Sequence, residues 1–376
     1  MSEISFYKPS IGDRERELIS EALSNPNSQM VERLEEKLRE YFGVKHVIST
    51  NNSAAAHHLS LCAMDIKRGD KFICSVNAFP SIAQAIRHFD AEPIFVDIDE
   101  DDLGICPKAL EITLEKFNHK KLKGIFLNHV AGQSAELDKI YDIAKQYKIE
   151  VLDSANRAIG LTYNGQKIGN TGSLLTCFQT YSQVKDSVAT AGFITTNNDE
   201  IAKKAELLRN YAITTGFDKF GNLSYIYDVV DIGVKYDLTA IDAAYSLAQI
   251  EKNDVIIKRH QDIAAYYDEQ LKDCPHVSTP VKKRDHIYTQ YIIKIDKNRD
   301  GFARELLEKG INTSLHYIPI HLLSYYKNKY ALKVNAFPIA LKTYQQILSL
   351  PIYNVMSDAD VERVAKEIKT IAHSRV

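Results

Sequence analysis

Residues 46–63, HVISTNNSAAAHHLSLCA, run from a short β-rich segment through Asn51-Asn52-Ser53 into a stretch of small and apolar residues that reads as a helix. The same order recurs downstream. KFICSV (71–76) precedes a helical stretch from Ser81 to His88, and PIFVDI (93–98) precedes one from Pro107 to Phe117. Lys123 to Leu127, the amphipathic segment Ala135 to Tyr147, Ile149 to Leu152, Leu174 to Phe178 and Phe193 to Thr196 continue it. Strands that alternate with helices in this way predict an α/β fold, with a mostly parallel sheet sandwiched by helices.

The pattern changes at Leu238. LTAIDAAYSLAQIEKNDVIIKRHQDIAAYYDEQL (238–271) reads as helix throughout, either as two helices or as one bent spine. Beyond it, IYTQYIIKI (287–295) and INTSLHY (311–317) read as strands, and Arg299 to Glu308 and Asp358 to Ala372 as helices. That composition predicts a smaller C-terminal α+β domain, so the chain divides into residues 1–250 and 251–376.

Composition narrows the function. A hydrophobic fraction of 45% and a formal charge of −2 give a globular chain with no overall field for nucleic acid or an anionic membrane. The five cysteines, Cys62, Cys74, Cys106, Cys177 and Cys274, form no C-x-x-C pair and suggest neither a disulfide framework nor a metal site. A reducing, cytoplasmic setting is expected, since the opening residues carry acidic side chains and no apolar core of a signal peptide.

In parallel sheets, ligands bind beyond the carboxyl ends of the strands. Four polar clusters fall there: Asn51-Asn52-Ser53, Ala78-Phe79-Pro80, Asp153, and Thr180 to Lys185. Taken singly, these are an N-cap, a loop, a turn carboxylate and a solvated lysine. Together they supply a helix N-terminus for a phosphate, an aromatic face, a carboxylate and an amine, a set that suits a phosphorylated aromatic aldehyde cofactor.

Several segments carry a family resemblance along nearly the whole chain. NNSAAAHHLSL (51–61) is similar to an NSGTAALHLAL phosphate loop, RGDKFICSVNAFPSIAQAI (68–86) to a GDEVI strand with its aromatic loop, and SLHYIPIH (314–321) to an HYPIPLH segment. With HVAGQSAELDKIYDIAKQYKIEVLDSANRAIG (129–160) and IGVKYDLTAIDAAYSLAQIEK (232–252) in the same order, the chain resembles the DegT/DnrJ/EryC1/StrS family of sugar aminotransferases.

The resemblance implies a fold-type-I enzyme using pyridoxal 5'-phosphate, which alternates with pyridoxamine phosphate. It also implies L-glutamate as amino donor, a keto-sugar acceptor, and a homodimer with shared active sites. Matching TYSQVK (180–185) to the family's S-F-x-x-x-K places Lys185 as the cofactor-binding and proton-shuttling lysine. A register based on Cys177-Phe178 would leave no lysine there. Asp153 is implied as partner of the ring nitrogen, Asn156 and Phe79 as ring contacts, and Asn52, Ser53, Ala54 and Thr180 as phosphate contacts. Lys235 is implied to reach the partner subunit's cofactor phosphate, and His316, Tyr317 and His321 to approach the substrate. Ala54 replaces the family's threonine, and Ala191-Gly192-Phe193 replaces its E-G-G. A sugar 3-dehydratase of the same fold, which carries histidine in place of the lysine, and a catalytically inactive regulatory subunit are the alternatives.

Overall fold

The computed structural model describes residues 3–117, 119–180, 188–215 and 226–375. Strands β1 (His46–Thr50), β2 (Lys71–Ser75), β3 (Glu92–Val96), β4 (Leu122–Asn128) and β5 (Glu150–Ser154) are followed by a small ribbon, β6 (Thr162–Tyr163) and β7 (Gln166–Lys167). Strands β8 (Leu175–Thr180) and β9 (Ala191–Thr196) complete a seven-stranded sheet of order β1-β9-β8-β5-β4-β2-β3. All neighbours pair in parallel except β9, which runs antiparallel to both β8 and β1. Six strands therefore point their carboxyl ends to one edge.

Helices cover both faces because strand side chains alternate and both sets are apolar. Ile73, Ile125, Leu127, Val151, Phe178 and Phe193 pack against α1 (Asp13–Ser24), α2 (Met30–Phe42), α5 (Pro107–Phe117), α6 (Leu137–Tyr147) and α8 (Ala240–Glu251). On the other face, Phe72, Cys74, Phe126, Leu152, Cys177 and Ile194 meet α3 (Ser53–Ala63), α4 (Ser81–His88) and α7 (Asp199–Leu208). Each predicted helix in this half is present, most within a residue or two of its expected bounds. The long stretch from Leu238 is two helices, α8 and α9 (Asn253–Leu271), meeting at Lys252.

A third core belongs to the C-terminal part, where β12 (Val277–Ser278), β13 (Tyr291–Ile295) and β14 (Ile347–Leu350) form an antiparallel sheet against α9, α10 (Arg299–Glu308) and α13 (Asp358–His373). Ile4 and Tyr7 pack into this core, and Ile4 bridges Ile311. INTSLHY differs from its expected strand. Only Ile311 and Ser314 form bridges, after which the chain leaves the sheet toward Phe6, whose ring stacks on His316. A ribbon of β10 (Ile213–Thr215) and β11 (Tyr227–Val229) projects beside α7.

The central sheet is locked to α2 by an aromatic cluster, with the rings of Phe178 and Phe193 stacked at 4.7 Å and Phe42 at 4.7 Å from Phe178. All three are buried. Phe178→Ala should destabilise the protein by about 3–5 kcal/mol, from lost burial plus the cavity left behind. Urea unfolding followed by circular dichroism measures it.

Candidate active site

The carboxyl ends of β1, β5 and β8 open onto a cavity of about 520 Å³. One end is the N-terminus of α3. The Asn52 side chain caps it by accepting the Ala55 N–H at 2.9 Å. The Ser53 and Ala54 amides, first in the helix, have no intrahelical acceptor and present the positive end of the dipole to an anion. The Ser53 hydroxyl donates to Gln179 Oε1 at 2.6 Å and accepts from Asn156 Nδ2 at 3.2 Å. Three strand ends are thereby tied together through one hydroxyl.

Gly192 makes this junction possible. It pairs with Thr50, and a Cβ there would overlap the Asn52 carbonyl oxygen. The cavity continues past Arg157, Ile159, Thr289 and Tyr317 to α9, where Asn253, Ile256, Ile257 and His260 line it.

Of the residues singled out from sequence, Asn52, Ser53, Ala54, Phe79, Asn156, Thr180 and Tyr317 line the cavity. Phe79 is 65% exposed, its ring edge-on to Tyr317 at 6.3 Å. The Thr180 hydroxyl is engaged by Ser246 at 2.8 Å and by the Ala191 carbonyl at 3.3 Å, pointing toward α8 and β9. Lys185 lies outside the described residues. Lys235 is not on this wall. It pairs with Asp237 at 2.9 Å and donates to Asn210 at 3.0 Å, half-exposed beside Tyr211.

Two histidines expected at the substrate face into packing instead. His321 is fully buried, with Nε2 at 2.9 Å from the Val334 carbonyl and its ring against Phe337. His316 bonds Ser349 Oγ at 2.8 Å through Nδ1, and burial, with the charge of Arg157 adding to it, pushes it down to about 3. Both hold the segment that carries Tyr317 to the cavity.

Asp153, expected beside a ring nitrogen, ends β5 with its carboxyl buried. Period-2 alternation turns it to the α6 face of the sheet, while Ser154 faces α3 and meets His57 Nε2 at 2.9 Å. The Asp153 carboxyl is fully buried and does not line the cavity. Oδ2 accepts from Thr176 at 3.4 Å, and Oδ1 has no hydrogen bond among the described residues, standing 3.8 Å from His129 Nε2. Burial raises Asp153 to about 7 and, with Arg284 adding to it, lowers His129 to about 4. His129 Nδ1 accepts the Ala135 amide at 3.4 Å, so the neutral ring carries its hydrogen on the Nε2 that faces Asp153. Gln179 and His129 were not singled out from sequence. A glutamine at a strand end and a histidine before a turn carry no local signal of their own.

A phosphorylated pyridine fits the cavity at its phosphate end, where the Ser53 and Ala54 amides of the α3 N-terminus face the opening; the Asn156 Oδ1, without a partner among the described residues, is left to accept from a donor elsewhere on the group. At the ring end, the buried Asp153 Oδ1 has no hydrogen bond among the described residues, an acceptor of the kind that a protonated ring nitrogen satisfies.

The raised Asp153 has a stability consequence. The folded state holds this proton more tightly than the unfolded chain, so stability is present below about pH 4 and is lost as pH rises through about 7, on the order of 4 kcal/mol in all. His129 acts oppositely, its contribution vanishing as pH falls from 6.5 toward 4. Cofactor-free Asp153→Asn should melt above the parent protein at pH 8 and match it near pH 4. Scanning calorimetry across that range decides it, and an equal or lower melting point at pH 8 contradicts the assignment.

Comparison with known proteins shows what the chain as a whole is similar to. The chain is 31% identical to the spore coat polysaccharide biosynthesis protein SpsC of Bacillus subtilis, covering 98% of this chain and 97% of SpsC. Helicobacter pylori PseC, an aminotransferase involved in the biosynthesis of pseudoaminic acid, superposes with a TM-score of 0.90 at 22% identity, over 99% of this chain and all of PseC. Spr1654 from Streptococcus pneumoniae, in its PMP form, does so at 0.91 and 22%, over 99% of this chain and all of that one. Residues 9–369 match the model of the DegT/DnrJ/EryC1/StrS aminotransferase family, and the chain belongs to that family.

Proposed function

We propose that this protein is a pyridoxal-phosphate-dependent sugar aminotransferase that moves an amino group from L-glutamate to a keto sugar, nucleotide-linked, in surface-polysaccharide or amino-sugar biosynthesis. The observation that carries this is the capped N-terminus of α3, opening with Ser53, Asn156 and Gln179 onto one cavity in a chain of this family.

Within that reading, the amides of Ser53 and Ala54 hold the phosphate, the Ser53 hydroxyl joins them by turning its hydrogen from Gln179, and Phe79 covers one face of the ring. Asn156 offers its free Oδ1 as an acceptor. When bound, the cofactor supplies the electron sink that stabilises a carbanion at the amino-bearing carbon. Lys185, five residues beyond the last cavity residue of β8, would anchor the cofactor, and its Nζ would take the proton from that carbon and deliver it to the cofactor carbon that carried the aldehyde. This requires a neutral amine, which an apolar, cation-bearing site favours. SpsC, named for spore coat polysaccharide biosynthesis, and PseC, an aminotransferase involved in the biosynthesis of pseudoaminic acid, support the class of acceptor.

A homodimer fits the surface. β10 and β11 project Tyr227 and Val229 into solvent, and Ile232 just beyond is 88% exposed, an apolar ribbon of the kind that a second copy covers. Lys235 stands at its base, turned away from its own cavity. Both features support its reaching the partner's phosphate.

The test is an absorption titration with pyridoxal phosphate, before and after excess L-glutamate, alongside Lys185→Ala. The wild type should develop a lysine-bound cofactor band that glutamate bleaches, and the variant should never develop it. A wild type that takes up no cofactor, or a variant that develops and loses the band like the parent, rejects the proposal.

A further inference from the structure

The cavity wall carries a charge that the aminotransfer scheme above does not use. Among the described residues that line it, Arg157 alone is charged at neutral pH, because burial lowers His260 to about 4 and no Asp or Glu faces inward. The Arg157 guanidinium makes no hydrogen bond or ion pair among the described residues. Its backbone, by contrast, is fixed. Thr289 Oγ1 donates to the Arg157 carbonyl at 3.0 Å, and Asn253 Nδ2 to the Ile159 carbonyl at 3.2 Å. Next to it, Asn156 reaches back to the Ser53 hydroxyl at the phosphate end.

A half-buried guanidinium beside Ile159, Ile256, Ile257 and Ile352 has lost part of its hydration without gaining a counter-ion. Such a group is the natural fork for a planar oxyanion. We propose that Arg157 is the anchor for a carboxylate of the amino donor, holding it in the same cavity whose α3 end takes the cofactor phosphate. Charge counting selects a carboxylate over a second phosphate. One guanidinium neutralises one carboxylate, whereas a phosphate near −2 would keep a net buried charge with no second cation on the described wall. The apolar isoleucines then accommodate the donor's methylenes.

This inference rests on the aminotransfer reading, and the experiment separates the two. Glutarate, a dicarboxylate with no amine to transfer, is titrated by calorimetry into wild type, Arg157→Gln and Arg157→Lys, each preloaded with pyridoxal phosphate, with inorganic pyrophosphate as the second probe. Loss of one charge-assisted pair predicts glutarate binding weaker by roughly 10- to 100-fold in Arg157→Gln and partly kept in Arg157→Lys, with cofactor absorption and melting temperature unchanged. Equal glutarate affinity in wild type and Arg157→Gln overturns the proposal. So does a variant that no longer retains the cofactor, which would assign the guanidinium to the phosphate, or pyrophosphate binding that depends on Arg157 while glutarate binding does not. A wild type that takes up no cofactor but still binds glutarate through Arg157 rejects the aminotransfer reading and leaves the anchor standing.

Discussion

The contact between the β9 backbone at Gly192 and the Asn52 carbonyl is the constraint on which the site depends. β9 is the one antiparallel strand in the sheet, and it brings its amino end, not its carboxyl end, to the edge where the other six finish. Because a hydrogen takes the place of a side chain there, the β1–α3 turn lies close on β9. Ser53 can then reach Gln179 on β8 while accepting from Asn156 beyond β5. One residue of bulk at Gly192 would push α3 outward and separate the donors that converge on the phosphate position. The topology thus makes a helix N-terminus into a site by placing two strand ends within hydrogen-bond reach of its first turn.

The loss of the family's threonine at Ala54 is understandable in the same terms. A hydroxyl at the second helical position would serve the phosphate directly, whereas here the polar group is one residue earlier, on Ser53, and is already aligned by a donor and an acceptor. To serve a phosphate, that hydroxyl exchanges its bond to Gln179 for one to the anion, so it replaces only part of the hydrogen bond lost with the threonine, worth about 1–3 kcal/mol when a partner is left unsatisfied.

Periodicity made the architecture legible. The strand and helix alternation from His46 onward needs only local pattern, and Pro107–Phe117, Ser81–His88 and Arg299–Glu308 match their expected bounds. The strand expected at INTSLHY failed because β-rich composition says nothing about whether a partner strand runs alongside. Ser314 finds Ser349 and no further pair forms. At the site, residues in the β1–α3 turn were legible because a cap and a helix start leave a sequence signal. His316 and His321 were misplaced, since an aromatic-rich segment looks alike whether it faces a cavity or a core.

Asp153 shows most sharply what one-dimensional pattern omits. A carboxylate at a strand end is drawn to the ligand edge by position but assigned to a face by parity, and a shift of one residue exchanges Asp153 with Ser154. The structure assigns the carboxyl to the α6 side with the neutral His129, and among the described residues that line the cavity it leaves Arg157 as the one cation. These two placements reinforce each other. An ionised carboxylate against the guanidinium would pair with it and quench it, whereas the buried carboxyl, raised to about 7, forms no ion pair with Arg157 among the described residues. Burial of the acid and presentation of the guanidinium are thus two consequences of one backbone path: parity on β5 buries the carboxyl at 153, and the loop that follows the strand carries Arg157 to the cavity lining.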